Sequence, residues 1–93
     1  MKKKEYEVVI KLISNRSPCH SGHKIGEEWV FDYRPPQGLC SFAYYSLFPF
    51  ALALKTGGIF PWQEDPNVIT VGCPDPEVNN IFELRRRPQS TNR

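Results

Sequence analysis

Cys19, His20 and His23 fall within five residues of one another in SPCHSGHKIG, residues 17 to 26. The chain has three cysteines and two histidines, so this segment sets both imidazoles beside one thiol. The other two thiols follow at Cys40, in PQGLCSF, and at Cys73, in VGCPDP. Three thiolates and one ring nitrogen close the tetrahedral shell of a structural zinc ion. Within CHSGH a turn through Gly22 would bring Cys19 and His23 onto one ion. His20 is the poorer ligand, because side chains of adjacent residues usually diverge. The metal set read from the sequence is Cys19, His23, Cys40 and Cys73. An iron–sulfur cluster on the same three thiolates is an alternative, with His23, Asp75 or an exogenous ligand at the fourth position. No paired CxxC knuckle is present, so a chain without any cofactor stands equally.

The same residues allow thiol catalysis. Cys40 is placed to open a helix, where the positive end of the dipole lowers a thiol pKa. His23 or His20 would then serve as general base, oriented by Asp75. Cys40, His23 and Asp75 are thus the candidate catalytic residues, in an enzyme or an enzyme subunit acting on a small molecule. No local catalytic signature decides the matter. The third possibility is a structural or interaction module whose cysteines are buried and inert, since free cysteine packs as a small apolar side chain.

Positioning these groups falls to five elements. YEVVIKLI, residues 6 to 13, is β-branched with apolar side chains on both faces, which suits a central strand. EWVFDY, 28 to 33, alternates, with Trp29, Phe31 and Tyr33 on one face. RPPQG then breaks the chain. From Leu39 the period changes: Cys40, Ala43, Leu47, Phe50 and Leu54 recur at helical spacing, with Tyr44, Phe48 and Leu52 as a second stripe. This predicts one buried helix over about 40–56, with a kink at Pro49 and a left-handed cap at Gly57. VITVGC, 68 to 73, and IFELRR complete the pattern. The predicted fold is α+β, a β-β-α-β-β domain with the helix on a mostly antiparallel four-stranded sheet. All three cysteines then lie at element ends, where a common pocket can form.

These stretches resemble a short, largely uncharacterised prokaryotic family of about 90 residues. The match runs through CHSGHKIGEEWVF, PQGLCSFAYYSLF, LKTGGIFPW, VGCPDP and IFELRR, roughly residues 6 to 87. The family pattern is a Cys, then Pro-x-Gly-x-Cys, a Gly and Trp, Cys-x-Asp, and a final Phe-x-x-x-Arg. His20 stands where that pattern more often has proline. The resemblance implies the same fold and singles out Cys19, Cys40 and Cys73. It implies no reaction.

Bulk properties bound the rest. Ninety-three residues make one domain, read as 1–87 with a disordered basic tail at 88–93. The net charge of +2 comes from the two ends, MKKK and RRRPQSTNR, which argues against a nucleic-acid surface. GLCSFAYYSLFPFALAL is too short and too polar for a convincing membrane span. Charged residues interrupt the N-terminal apolar run, so a signal peptide is not expected. An odd number of cysteines without a framework fits a reducing, cytoplasmic setting. One sheet cannot cover so apolar a helix, which predicts a homo-oligomer through the second stripe. A larger enzyme partner is an alternative. FPW is expected to anchor a loop through Trp62, Glu64 and Asp65 to mark a solvated turn, and Arg85 to Arg87 to end a strand in solvent.

Overall fold

The computed structural model describes residues 6–88. Its elements are β1 (Tyr6–Ser14), β2 (Glu28–Phe31), α1 (Ser41–Lys55), β3 (Val68–Gly72) and β4 (Ile81–Pro88). The α+β reading holds, in the order β-β-α-β-β. Residues 89–93 of the expected tail lie outside the described residues, and Pro88 closes β4.

All strand pairings are antiparallel, in the order β2-β1-β4-β3. β1 is central, and side-chain alternation sends Val8, Ile10 and Leu12 to the helix side, where all three are buried. Their neighbours continue the same face: Ile10 lies opposite Trp29 on β2 and Leu84 on β4, and Leu84 lies opposite Ile69 on β3. Phe31, Phe82 and Leu47 complete this core. Each such aliphatic or aromatic side chain stabilises the fold by about 1.5–3 kcal/mol on burial. The pairing register shifts between Leu12 and Ser14, where the chain leaves for the Cys19 loop.

α1 turns Ala43, Leu47, Ala51 and Leu54 onto the sheet. Ala51 takes the central place expected of Phe50, which is half-buried and packs on Phe60 instead. The helix is not buried on most sides, contrary to the sequence expectation. Phe42 is 75% and Tyr45 81% exposed, and Phe48 and Pro49 are exposed too. A single sheet can cover only one flank of a helix, and no second layer exists among the described residues. The alternation expected through Tyr33 stops at Phe31. Tyr33 adopts φ 62° and places its ring 4.9 Å from the Lys55 Nζ.

The C-terminal end of α1 is closed tightly. Gly57 has φ 91°, the left-handed cap expected there, and the Gly58 N–H donates to Ala53 O at 2.7 Å. Arg86, expected in solvent, is only 6% exposed. Its Nη1 donates to Leu54 O at 3.2 Å and Gly58 O at 2.6 Å, and its Nε to Asn67 Oδ1 at 3.1 Å. The guanidinium thereby satisfies carbonyls that a helix end leaves open. Lys55 is buried as well and donates to Tyr6 O at 3.0 Å. Trp62 is 66% exposed, so Phe60 rather than Trp62 anchors the FPW loop. Asp65 behaves as expected of a turn residue: its Oδ1 accepts the Asn67 N–H at 2.9 Å.

Candidate functional site

Three segments meet at the opposite end of α1. The first is the loop after β1. Its Cys19–Gly22 turn is closed by the Gly22 N–H on Cys19 O at 2.9 Å, and Gly22 takes φ 84°, a conformation glycine adopts without strain. Two contacts tie this loop to the β3–β4 connection: Arg16 N–H to Val78 O at 2.7 Å, and Ser17 Oγ to Glu77 O at 3.2 Å.

That connection is the second segment. Asp75 shapes it, its Oδ1 accepting the N–H groups of Glu77 at 2.9 Å and Val78 at 3.3 Å. The Cys73 N–H donates to Asn80 O at 2.9 Å, so Cys73 and Asn80 face each other where the hairpin opens. The third segment is the start of α1, with Cys40 in the N-cap position.

Together they enclose a cavity of about 210 Å³. Cys19, His20 and Ser21 line it from the loop, Cys40, Phe42 and Ala43 from the helix, and Cys73, Asp75, Val78 and Asn80 from the hairpin. The three thiols therefore share one cavity, as their placement at element ends suggested. Each is partly exposed and none is in a disulfide.

The three sulfurs differ in their surroundings. Burial pushes the Cys40 thiol up, but the Ser21 side chain and the N–H groups of Ala43 and Phe42 outweigh it and hold its pKa below the ordinary value. The neutral thiol makes no cap hydrogen bond to the helix. The first-turn N–H groups act on the charged form, which a diffuse sulfur anion receives at longer range than a hydroxyl would. Burial likewise raises Cys19, and the charge of Cys40 adds to that. The Asn80 side chain and the N–H groups of His23 and Ser21 reverse both and leave Cys19 lowered. Cys73 is engaged as a donor, with its Sγ directed to Asp75 O at 3.9 Å.

His23 does not line the cavity. Its Nε2 accepts the Cys40 N–H at 3.1 Å, its Nδ1 lies 3.5 Å from Glu27 Oε1, and its ring packs edge-on against Trp29 at 4.8 Å. Accepting at Nε2 places the ring proton on Nδ1 and occupies the lone pair that a metal or a substrate proton would need. The imidazole is a clamp joining the Cys19 loop to the helix start. Asp75 reaches the cavity, but its Oδ1 is committed to backbone, and it orients no histidine in this arrangement. His20, discounted in the sequence, is the imidazole on the cavity wall.

Asn80 and Ser21 carried no advance signal. Asn80 is 4% exposed, lines the cavity, and has an Oδ1 without a hydrogen-bond partner. It stands in an ordinary-looking turn, PDPEVNN, and only tertiary packing brings it under Cys19. Among the described residues no group of three or more His, Cys, Asp or Glu side chains is close enough to hold a metal ion. A metal on the expected set would require the sulfurs to rotate and His23 to release the Cys40 N–H.

Comparison with protein-family models, with curated proteins and with solved structures finds no match for this chain. No helix among the described residues is long and apolar enough to cross a membrane.

Proposed function

We propose that the cavity is a thiolate centre acting on a small electrophilic molecule, with Cys40 as the nucleophile. One observation carries this reading: the first-turn N–H groups of α1 and the Ser21 side chain favour an anionic Cys40 sulfur on the wall of an open cavity. A thiolate held by fixed dipoles needs no adjacent base, and the commitment of His23 to backbone is consistent with that. Phe42, Ala43 and Val78 supply an apolar wall for the substrate. Such a centre functions in a reducing compartment, in keeping with a cytoplasmic location.

Alkylation by iodoacetamide across pH 5 to 10, read by peptide mass, tests the proposal. Cys40 should label with an apparent pKa below that of a free cysteine, and Ser21→Ala should move the profile upward. A Cys40 that labels only as an ordinary thiol would overturn it.

A second reading, a zinc or iron–sulfur site on Cys19, Cys40 and Cys73, draws on their shared cavity. Stoichiometric metal after anaerobic purification, lost in Cys40→Ser, would favour it over thiol chemistry. Self-association, or docking on a larger enzyme, would use the exposed Phe42, Tyr45 and Phe48. Sedimentation of the wild type against Tyr45→Glu tests the first.

A further inference from the structure

Resting on the thiolate reading, we infer that Glu27 and His23 form a relay that positions the nucleophile. Glu27 fixes the imidazole tautomer, and the imidazole holds the Cys40 N–H so that the sulfur stays turned to the cavity. Neither side chain lines the cavity, so both are positioning residues.

The helix start shows why such a device is needed. A side chain at the N-cap ordinarily accepts a first-turn N–H and anchors itself by that bond. Cys40 makes no such bond, and its φ of −57° and ψ of 136° lie outside the helix. Its place therefore depends on its backbone. The Cys40 O accepts the Tyr44 N–H at 2.9 Å, the first bond of α1. On the other side of its Cα, the Cys40 N–H donates to His23 Nε2 at 3.1 Å. These two bonds fix the peptide planes flanking Cα and with them the direction of the Cα–Cβ bond, so the sulfur keeps only its choice of rotamer.

His23 can hold that N–H because it is held itself. Its ring packs edge-on at 4.8 Å against Trp29, which is buried and meets Phe82 edge-on at 6.1 Å. Glu27 Oε1 stands 3.5 Å from Nδ1. An acceptor on that side favours the tautomer with its proton on Nδ1 and its lone pair on Nε2. Glu27 in turn is tied to the root of β2. Its O accepts the Leu12 N–H at 3.0 Å, its N–H donates to Lys24 O at 3.0 Å, and its Oε1 accepts the Lys24 N–H at 3.2 Å. Either tautomer would fill the space against Trp29, but only one accepts from Cys40. The carboxylate on the far nitrogen selects that one.

Three measurements on the full chain at pH 8 test the relay: imidazole ¹⁵N shifts, hydrogen exchange of the Cys40 amide, and the rate of Cys40 alkylation by iodoacetamide. In the wild type His23 should show the Nδ1–H tautomer and the Cys40 N–H should be protected. His23→Leu keeps bulk against Trp29 but has no acceptor. It should expose that N–H and label Cys40 about tenfold more slowly. His23→Gln, whose amide oxygen can accept in place of Nε2, should restore both protection and rate. Glu27→Leu should shift the imidazole towards the Nε2–H tautomer and lower protection and labelling together. The Glu27 side chain is 43% exposed, so this variant keeps the relay testable if His23→Leu does not fold. An exposed Cys40 N–H with labelling at the wild-type rate or faster would reduce His23 to a structural clamp and overturn its positioning role. An unchanged tautomer in Glu27→Leu would overturn that of Glu27. Rapid wild-type labelling that ignores His23→Leu defeats the relay alone, whereas a wild-type Cys40 that labels only as an ordinary thiol defeats the thiolate centre and the relay with it.

Discussion

The two ends of α1 are built on opposite plans. At the C-terminal end, the helix carbonyls meet Arg86, the Gly57–Gly58 turn closes without slack, and Lys55 is buried on Tyr6 O. At the N-terminal end, the cap is a cysteine that makes no cap hydrogen bond as a thiol, a cavity is left open, and a buried amide oxygen is unpaired. One end is saturated with hydrogen bonds and the other is left wanting them. Unsatisfied polar groups cost stability, and they persist where they face something that must be held or reacted. The contrast sets a hydrogen-bonded closure at the Arg86 end against a cavity at the Cys40 end, where the proposed chemistry would take place.

The largest effect should come from breaking the closed end. Arg86→Met removes the guanidinium donors from Leu54 O, Gly58 O and Asn67 Oδ1, leaving Leu54 O only the Gly57 N–H, and should cost about 3 kcal/mol or more by urea denaturation. Labelling of Cys40 in the folded fraction should be unchanged. Gly58→Ala comes next, because its Cβ would lie 2.9 Å from Ala53 O. Crowding against backbone should cost about 1–3 kcal/mol, again without touching the thiols.

The open end should respond to pH before it responds to packing. The folded-state pKa values of Cys40 and Cys19 lie below the unfolded value. Between those values the folded chain binds fewer protons, so stability should rise with pH. The contribution is fully present above the unfolded thiol pKa and is lost as pH falls through the folded one. Urea midpoints at pH 7 and pH 9 should therefore diverge between wild type and Cys40→Ser, with the wild type gaining relative stability at the higher pH. The smallest effect on stability is expected of Asn80→Leu. Removing an unpaired buried oxygen should leave the urea midpoint unchanged or slightly raised, and a loss of several kcal/mol would show the open end to be structural after all.

Much of the fold was legible because its signals are local. Alternation in YEVVIKLI and EWVF reports a face that must be buried, and the helical recurrence of Ala43, Leu47 and Leu54 reports the stripe that buries it. Gly57 announced its own cap. The errors have a common physical source in long-range contacts. Arg86 sits in a run of three arginines that reads as solvated, yet alternation turns it inward under the helix end, 32 residues from Leu54. The helix read as buried on most sides because it is apolar along its length, whereas a sheet covers one flank only and leaves Phe42 and Tyr45 exposed. His23 resembled a ligand by its neighbours, and its role was set by the backbone N–H of Cys40, 17 residues away.

Residue order alone determined the elements and put cysteines beside α1 and β3 and in the loop after β1, because backbone periodicity and turn chemistry depend on near neighbours. Tertiary structure decided how those sulfurs differ. Which sulfur lies at the first turn of α1, which lines the cavity from the loop after β1 and which points at a carbonyl depends on parts of the chain distant in sequence, and such surroundings set how readily a thiol ionises.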